Sequence, residues 1–587
     1  MLTMTKKPAP QKKPQQKESF WHKWGKLVVL SLALAIIVID TTLLNVSLRD
    51  IVADLDTNFT QIQWVITIYT LTLAAFTITG GRLGDLYGRK RVFILGAILF
   101  GVGSFIASIS LNITHMLIGE SLIEGLGAAL MMPATASLLV TNYEGRDRAI
   151  AFAFFGAVAG GASALGPILG GWLTTNYSWR WGFRINVFVV IILLAGSFLI
   201  KDARDKLEKT EIDWLGVALS SLGLLALVFG IIQSSDYGWW MAKQSFDIFK
   251  TDVTPWGLSI TPIAIALGIA LLTAFVFWQK RREALGHTPL VSLNLFKNRQ
   301  FVSGMSVTAA NSLSLTGLIF VLPIYFQVVH GLDAFQTGMA LFPLSLAVFI
   351  SSPAALLLAK KLRPKTIIMI GLVGTAGAVP MMISSLTAGA DVNSLIPSLV
   401  FFGASVGLIQ SQVNNLTLSA VDENLAGEAS GVNNTMRQVG ASFGAALIGA
   451  ALFANIATQI GTKIQADNVI PSAVRDKIVA QARESAKNGG IDSAEQNQQP
   501  DPGFLQQIAQ LPPAAQSAAI QKYREEQTKI GQAVKNDVEN AIVVASQDTL
   551  WVAFGFAVLA VLIGFGLPNV GSFMGEGPGT RKPNVGH

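Results

Sequence analysis

Long uninterrupted apolar runs, and not alternation of apolar with polar positions, set the pattern of this chain. Leu27 to Ile39, Val187 to Ile200 and Ile260 to Trp278 contain no charged residue. A hydrocarbon layer of roughly 30 Å is crossed by about 20 helical residues. Runs of that length fall near 25–48, 62–80, 92–110, 114–140, 149–173, 183–200 and 214–234. Seven more fall near 260–279, 301–328, 334–359, 366–387, 394–420, 429–456 and 549–567. A membrane barrel would show short alternating strands, whereas a continuously apolar segment must satisfy its backbone internally as a helix. The pattern predicts an all-α polytopic membrane protein with fourteen transmembrane helices.

Composition agrees: 51% of the 587 residues are hydrophobic and 13% charged, with a mean hydropathy of +0.50. Charge then orients the helices. Lys6, Lys7, Lys12, Lys13, Lys17, Lys23 and Lys26 precede or open the first spanner, and basic loops are retained on the cytoplasmic side. The clusters Arg89-Lys90-Arg91, Lys280-Arg281-Arg282 and Lys360, Lys361, Arg363 and Lys365 fall on that same side. Both termini are therefore expected in the cytoplasm of a cell with a bacterial inner-membrane type of envelope. The first helix is too long for a cleaved signal and lacks a small-residue cleavage site after it. These loop cations account for the net charge of +7, so the lipid bilayer is the expected partner and nucleic acid is not.

With no cysteine, disulfides and thiol chemistry are absent. His22, His115, His287, His330 and His587 show no metal-ligand spacing, and no phosphate-binding glycine loop occurs. No metal or cofactor is expected, which leaves an ion gradient as the energy source.

Between Ile456 and Asp548 the apolar runs give way to Gln, Ala and Asn, with nine Lys or Arg against eleven Asp or Glu. This stretch is expected outside the cell, with helices over Ser472 to Lys487 and Pro513 to Ile542 separated by Asn488 to Pro502. A helical hairpin cap and a solvated spacer are equally compatible with it.

An ionisable group inside a bilayer is costly and calls for a partner or a proton. Asp40 lies late in the first spanner with Asn45 close by; it is a candidate for proton coupling, with a structural hydrogen bond that fixes the helix against its neighbours as the alternative. Glu120 and Glu124, at i and i+4, share one face of the fourth spanner roughly 12 to 18 Å deep. They could share a proton, bind a cationic substrate, or pair with Arg184. Competition between proton and cation at such carboxylates is a direct route to antiport.

The loop after the second spanner reads Gly81-Arg82-Leu83-Gly84-Asp85-Leu86-Tyr87-Gly88-Arg89-Lys90-Arg91. Gly81 and Gly84 would allow close helix approach, Gly88 a tight turn, and Asp85 with Arg89 a charge pair or a contact with a neighbouring helix end. This string resembles the cytoplasmic signature of the major facilitator superfamily. The resemblance implies that Asp85 and Arg89 switch between inward and outward states. In the fifth spanner Gly160 to Gly171, with Gly166, Pro167, Gly170 and Gly171, is similar to the motif of the exporting antiporters in that superfamily, where it closes the cavity against proton leak. Read without the family, it is a small-residue packing seam.

Fourteen spanners, Ile39 to Leu48, Trp179-Arg180-Trp181 and Gly431 to Gln438 together resemble the fourteen-spanner drug:proton antiporter family, of the quaternary-ammonium and multidrug exporter type. The family usually places an Arg before a Gln-Gly step in the fourth spanner, where this chain has Ser121, Glu124 and Gly125. The resemblance implies an amino-terminal six-helix bundle over 25–203, after a basic tail at 1–24, then two inserted helices within 204–288. It continues with five carboxyl-terminal helices over 289–455, the outer insert at 456–548, the last spanner at 549–567 and a tail at 568–587. A single chain is the expected working unit. Substrate would sit between the bundles, with Asn311, Gln410, Gln412, Asn414, Asn415 and Arg437 available to line its cavity or to bond helix to helix. The implied activity is proton-driven export of small lipophilic, cationic drugs, with no enzymatic step. Export of an endogenous lipid or amphiphile, or a non-transporting membrane sensor or scaffold, are the other readings.

Overall fold

Each apolar run closes into one helix, since lipid offers no partner for an unpaired backbone group. The computed structural model describes residues 20–57, 59–201, 212–243, 245–248, 251–252, 257–387, 389–472, 475–477, 479–480 and 513–571. The first helices are α1 (Phe20–Asp54), α2 (Phe59–Tyr87), α3 (Arg89–Ser108), α4 (Ile113–Asn142), α5 (Gly145–Asn176), α6 (Arg180–Gly196) and α7 (Trp214–Tyr237). They are followed by α8 (Ile260–Ala284), α9 (Arg299–Val329), α10 (Ala334–Ala359), α11 (Pro364–Ser385), α12 (Ile396–Leu418), α13 (Ala426–Ala466) and α14 (Pro513–Phe565). All fourteen are long and apolar enough to span a bilayer. Between α7 and α8, Asp247–Ile248 pairs antiparallel with Thr251–Asp252. The distal basic tail before residue 20, the segment 481–512 and the end after 571 lie outside the described residues.

Side-chain caps fix several helix starts by accepting bonds from first-turn amides. Asp213 accepts from Gly216 N at 3.0 Å, Ser259 from Thr261 N at 3.1 Å and Asn298 from Gln300 N at 2.9 Å. Asp333 and Gln336 form a reciprocal capping box at the start of α10.

Helices α1 to α6 pack as one bundle and α9 to α14 as a second. The bundles meet where α2 crosses α13 and where α5 packs on α10 and α12. The inserted pair α7 and α8 stands outside both, with α7 laid over the α2–α13 seam.

Two helices outgrow the membrane. α13 has 41 residues and α14 has 53, which at ~1.5 Å per residue gives roughly 60 and 80 Å. The last spanner, expected as a separate helix near 549–567, is therefore the second half of one helix that starts at Pro513. No proline follows Pro513 before Phe565, and the intervening Ala, Gln, Lys and Glu favour helix. Outside the membrane-length portion the two helices stay paired, burying Ile460, Ile464, Ile530 and Val534 in one apolar cluster. A 472–487 helix cannot be traced through, because most of it falls among residues not described. Ile464→Ala is expected to cost the outer pair about 2–5 kcal/mol. Hydrogen exchange over 525–545 should accelerate accordingly, and unchanged protection there would mean the pair is not held by this contact.

Candidate functional site

Four helices of the first bundle bring their few polar side chains to one place. Asp40 comes from α1, Ser104 from α3, Glu120 and Glu124 from α4, and Asn186 from α6. The three carboxylates are 2%, 1% and 0% exposed in that order, and one oxygen of each lies within 4.8 Å of the others. Asn186 Nδ2 donates to Asp40 Oδ1 at 2.7 Å and lies 3.3 Å from both Ser104 Oγ and Glu124 Oε1. Asp40 Oδ2, Glu120 Oε2, Glu124 Oε2 and the nearby Tyr69 hydroxyl have no hydrogen-bond partner. Among the described residues no Lys or Arg forms an ion pair with any of the three acids. Three negative charges this close and this dry repel strongly. Positive charge, whether protons or a cation, would relieve that repulsion.

The local fold that presents the pair on α4 is unusual. Leu117–Glu124 winds as a π-helix inside the spanner, a wider turn that is frequent at functional sites. Glycines bring α3 onto α4 around it. A Cβ on Gly103 would stand 2.6 Å from the Gly119 carbonyl oxygen, and one on Gly127 would stand 2.7 Å from that of Gly96. Ser121 Oγ donates to Val65 O at 2.7 Å and ties the same turn to α2.

Arg184, expected among these acids, is not with them; its guanidinium carbon lies 5.1 Å from the centre of the Trp181 ring. Arg184 and Asn186 are two residues apart, about 200° around an α-helix. Once Asn186 faces the cluster, Arg184 faces away. A neutral amide thus occupies the place expected for a cation.

The glycine-rich string, expected as a loop, is instead the last two turns of α2, the single residue Gly88 and the start of α3, and it joins the two bundles. Arg89 Nε and Nη2 donate to Asp85 Oδ1 at 3.0 and 2.9 Å, and Arg89 Nη2 also donates to the Glu423 carbonyl. Asp85 in turn accepts from Gly427 N at 3.1 Å and Glu428 N at 2.8 Å, capping the start of α13. Glu428 is buried, 3.5 Å from Arg82 Nη1, and accepts from Ser292 N before α9. Gly81 permits this approach because a Cβ there would run into the Gly427 carbonyl, and Gly88 takes φ of 100°. Gly84 has room to spare, with Arg89 Cγ the nearest neighbour at 3.6 Å. The sequence pointed to Asp85 and Arg89; Glu423, Gly427 and Glu428 were silent, since an ordinary loop and helix start carries no distinguishing pattern.

On α5, Gly166 and Gly170 face α1, where added Cβ atoms would meet Thr42 and Leu43. Pro167 and Gly171 face Gly338 and Phe335 of α10. The motif therefore packs a first-bundle helix against both a sister helix and the opposite bundle. Of the remaining candidates, Asn414 and Arg437 line a small cavity of about 20 Å³ between the bundles, together with Leu34, Met132, Asn433 and Asn434. Arg437 Nη2 lies 3.0 Å from Met132 Sδ, and Asn433 Nδ2 donates to Asn414 Oδ1 at 3.2 Å. Gln410 lies against Gly156 of α5, while Gln412 is bonded to Ser411 at 3.3 Å. Asn311 and Asn415 are buried within the second bundle's helices. The side chain of Asn45 lies outside the described residues.

The comparisons with known proteins agree with this architecture. The family model described as Major Facilitator Superfamily matches residues 30–445. The chain is 26% identical to the "Probable actinorhodin transporter" of Streptomyces coelicolor, a match covering 93% of this chain and 92% of that protein. It is 29% identical to the "Multidrug efflux pump LfrA" of Mycolicibacterium smegmatis, over 73% of this chain and 80% of the relative. The "Tetracenomycin C resistance and export protein" of Streptomyces glaucescens is 28% identical, over 73% and 75%. The crystal structure of the human organic anion transporter MFSD10 (TETRAN) shares the fold alone, with a TM-score of 0.50 at 12% identity over 80% of this chain and 96% of that one. Twelve spanning helices in two bundles with a further pair inserted between them, a charged α2–α3 junction clamped on the opposing helix and a family match across most of its length make this chain a membrane transporter of the Major Facilitator Superfamily.

Proposed function

We propose that this protein exports small lipophilic cations in exchange for protons, by alternating access between its two bundles. The observation that carries the reading is the buried set Asp40, Glu120 and Glu124, in which a neutral amide bonds Asp40 and Glu124 and, among the described residues, no basic side chain pairs with any of the three. Protons discharge such a set in one conformation, and an incoming cation displaces them, so the two ligands exclude each other by charge. Relatives named for export and for multidrug efflux support outward transport of small molecules, while the choice of a cation rests on the acids alone. The proton gradient is the energy source, and the protein works in the plasma membrane with both termini in the cytoplasm.

The test is titration of the purified protein in detergent with tetraphenylphosphonium while a dye follows pH. Binding should release protons, and more of them near the pH at which the empty site is loaded. Cation binding with no release would sink the antiport reading. A second reading rests on Arg437, which no carboxylate pairs among the described residues and which faces the interbundle cavity. It favours an amphiphile with an anionic headgroup. Binding of an alkyl sulfate, lost in Arg437→Gln, together with indifference to the cation, would move the assignment there.

A further inference from the structure

We propose that the buried acids also form a metal site, in which Asp40, Glu120 and Glu124 hold one calcium-sized divalent cation. These are the acids that the exporter reading uses, and competition between the metal and a lipophilic cation rests on that reading; the binding of the metal does not. The sequence offers no His or Cys at ligand spacing, but a hard cation asks only for oxygens. Five helices bring them together: α1 with Asp40, α2 with Tyr69, α3 with Ser104, α4 with the two glutamates and α6 with Asn186.

One oxygen of each acid lies within 4.8 Å of the other two. Around Ca²⁺, with oxygens at about 2.3–2.6 Å, opposite ligands stand about 5 Å apart, so one ion can touch all three acids with the helices where they are. Mg²⁺ binds at about 2.0–2.1 Å and gives up its waters reluctantly. Three carboxylates buried from solvent suit such a hydrated ion poorly. Charge points the same way. A divalent ion offsets two of three negative charges where sodium offsets one, and among the described residues no Lys or Arg pairs with the acids to share that task.

Acids alone do not make a site; Tyr69 supplies the second sign of a ligand. It is 4% exposed, it stands in the field of all three carboxylates, and its hydroxyl has no hydrogen-bond partner. A buried polar group without a partner is costly, and a cation among the acids gives the Tyr69 oxygen one. Asp40 Oδ2, Glu120 Oε2 and Glu124 Oε2 lack partners in the same way. Ser104 Oγ, 3.3 Å from Asn186 Nδ2, adds a further oxygen. Turning the Asn186 amide over presents Oδ1 in place of Nδ2. Three carboxylates, two hydroxyls and one amide then meet the lower end of the roughly six to eight oxygens that Ca²⁺ takes. With that ion seated, the positive end of an organic cation is repelled from the place it would occupy, so metal and organic cation exclude each other.

The experiment is equilibrium dialysis of the purified full-length protein, stripped with a chelator, against radiolabelled Ca²⁺ with excess Mg²⁺ and Na⁺ present throughout. One ion per chain is expected. Glu120→Gln should weaken its binding about tenfold or more. Tyr69→Phe, which removes a single oxygen, should weaken it measurably in protein of unchanged thermal stability. Glu525→Gln, on the exposed outer part of α14, should leave it as it is. No bound Ca²⁺ in the wild type, wild-type affinity in both Glu120→Gln and Tyr69→Phe, or a loss seen only in Glu525→Gln overturns the site. Should Glu120→Gln not fold, wild-type affinity in Tyr69→Phe overturns it by itself. Tetraphenylphosphonium should displace the bound Ca²⁺. If Ca²⁺ binds and tetraphenylphosphonium does not, the metal site stands and the exporter reading fails; if tetraphenylphosphonium binds and Ca²⁺ does not, the metal site fails and the exporter reading stands.

Discussion

Glu124→Gln is expected to lower proton-driven transport of tetraphenylphosphonium by about thirtyfold or more, with the protein still folded. The amide preserves the volume of the side chain and an oxygen for Asn186 Nδ2, now 3.3 Å from Glu124 Oε1. It removes a group that can hold either a proton or a facing positive charge. Deleting one member of a desolvated charge interaction costs about 2–5 kcal/mol, and each 1.4 kcal/mol is a factor of ten. Asp40→Asn should act in the same direction, because Asp40 Oδ1 is the oxygen that Asn186 holds at 2.7 Å. Proteoliposomes with an imposed pH gradient provide the measurement, with proton flux and cation flux read together. Undiminished coupling in Glu120→Gln, Glu124→Gln and Asp40→Asn alike would remove these acids from the mechanism.

The second large effect is expected at the crossing of α2 with α13. Gly81→Val places carbon where the Gly427 carbonyl now stands, and Gly431 lies just beyond. The two helices then have to separate, and Asp85 loses its bonds to Gly427 N and Glu428 N, now 3.1 and 2.8 Å. Coupling energies of about 1–3 kcal/mol shift a two-state equilibrium by roughly 5- to 150-fold. Transport should fall within that range, and Asp85→Asn should follow it by turning an amide donor toward the same backbone N–H groups. The chain has no cysteine, so spin labels at Tyr87→Cys and Asp422→Cys can follow the gap directly. The distance distribution should widen in both variants. A wild-type distribution in both would show that this contact does not hold the closed state.

The contrast between these two sites explains what the sequence could disclose. Spanners announce themselves because lipid demands a long apolar run for each one, and all fourteen appear. Gly81, Asp85, Gly88 and Arg89 were legible because they lie within nine residues, where local geometry decides their relations. The carboxylate set was half legible: Asp40, Glu120 and Glu124 stood out as charges in apolar helices, but their convergence depends on the packing of α1 on α6 and α3 on α4. Choosing Asn186 over Arg184 required the facing side of α6. In a helix apolar nearly all round, periodicity does not reveal that side. The buried residues Phe183, Asn186, Val190 and Leu193 mark it only after folding. The π-helical turn at Leu117–Glu124 had no local signal, since its residues are ordinary helix formers. The continuity of α14 was missed for the opposite reason, because a change from apolar to polar composition was read as a break where the backbone has none.

Helix α13 begins against Asp85 and ends, 41 residues later, among the buried isoleucines of the outer pair. A rod of roughly 60 Å crossing a layer of about 30 Å leaves about half its length outside. Each degree by which its base tilts sweeps a free arm of ~30 Å through about half an ångström at the tip. α14 is yoked to that arm, so the far end of the pair would act as a pointer, magnifying any tilt of α13 at its contact with Asp85.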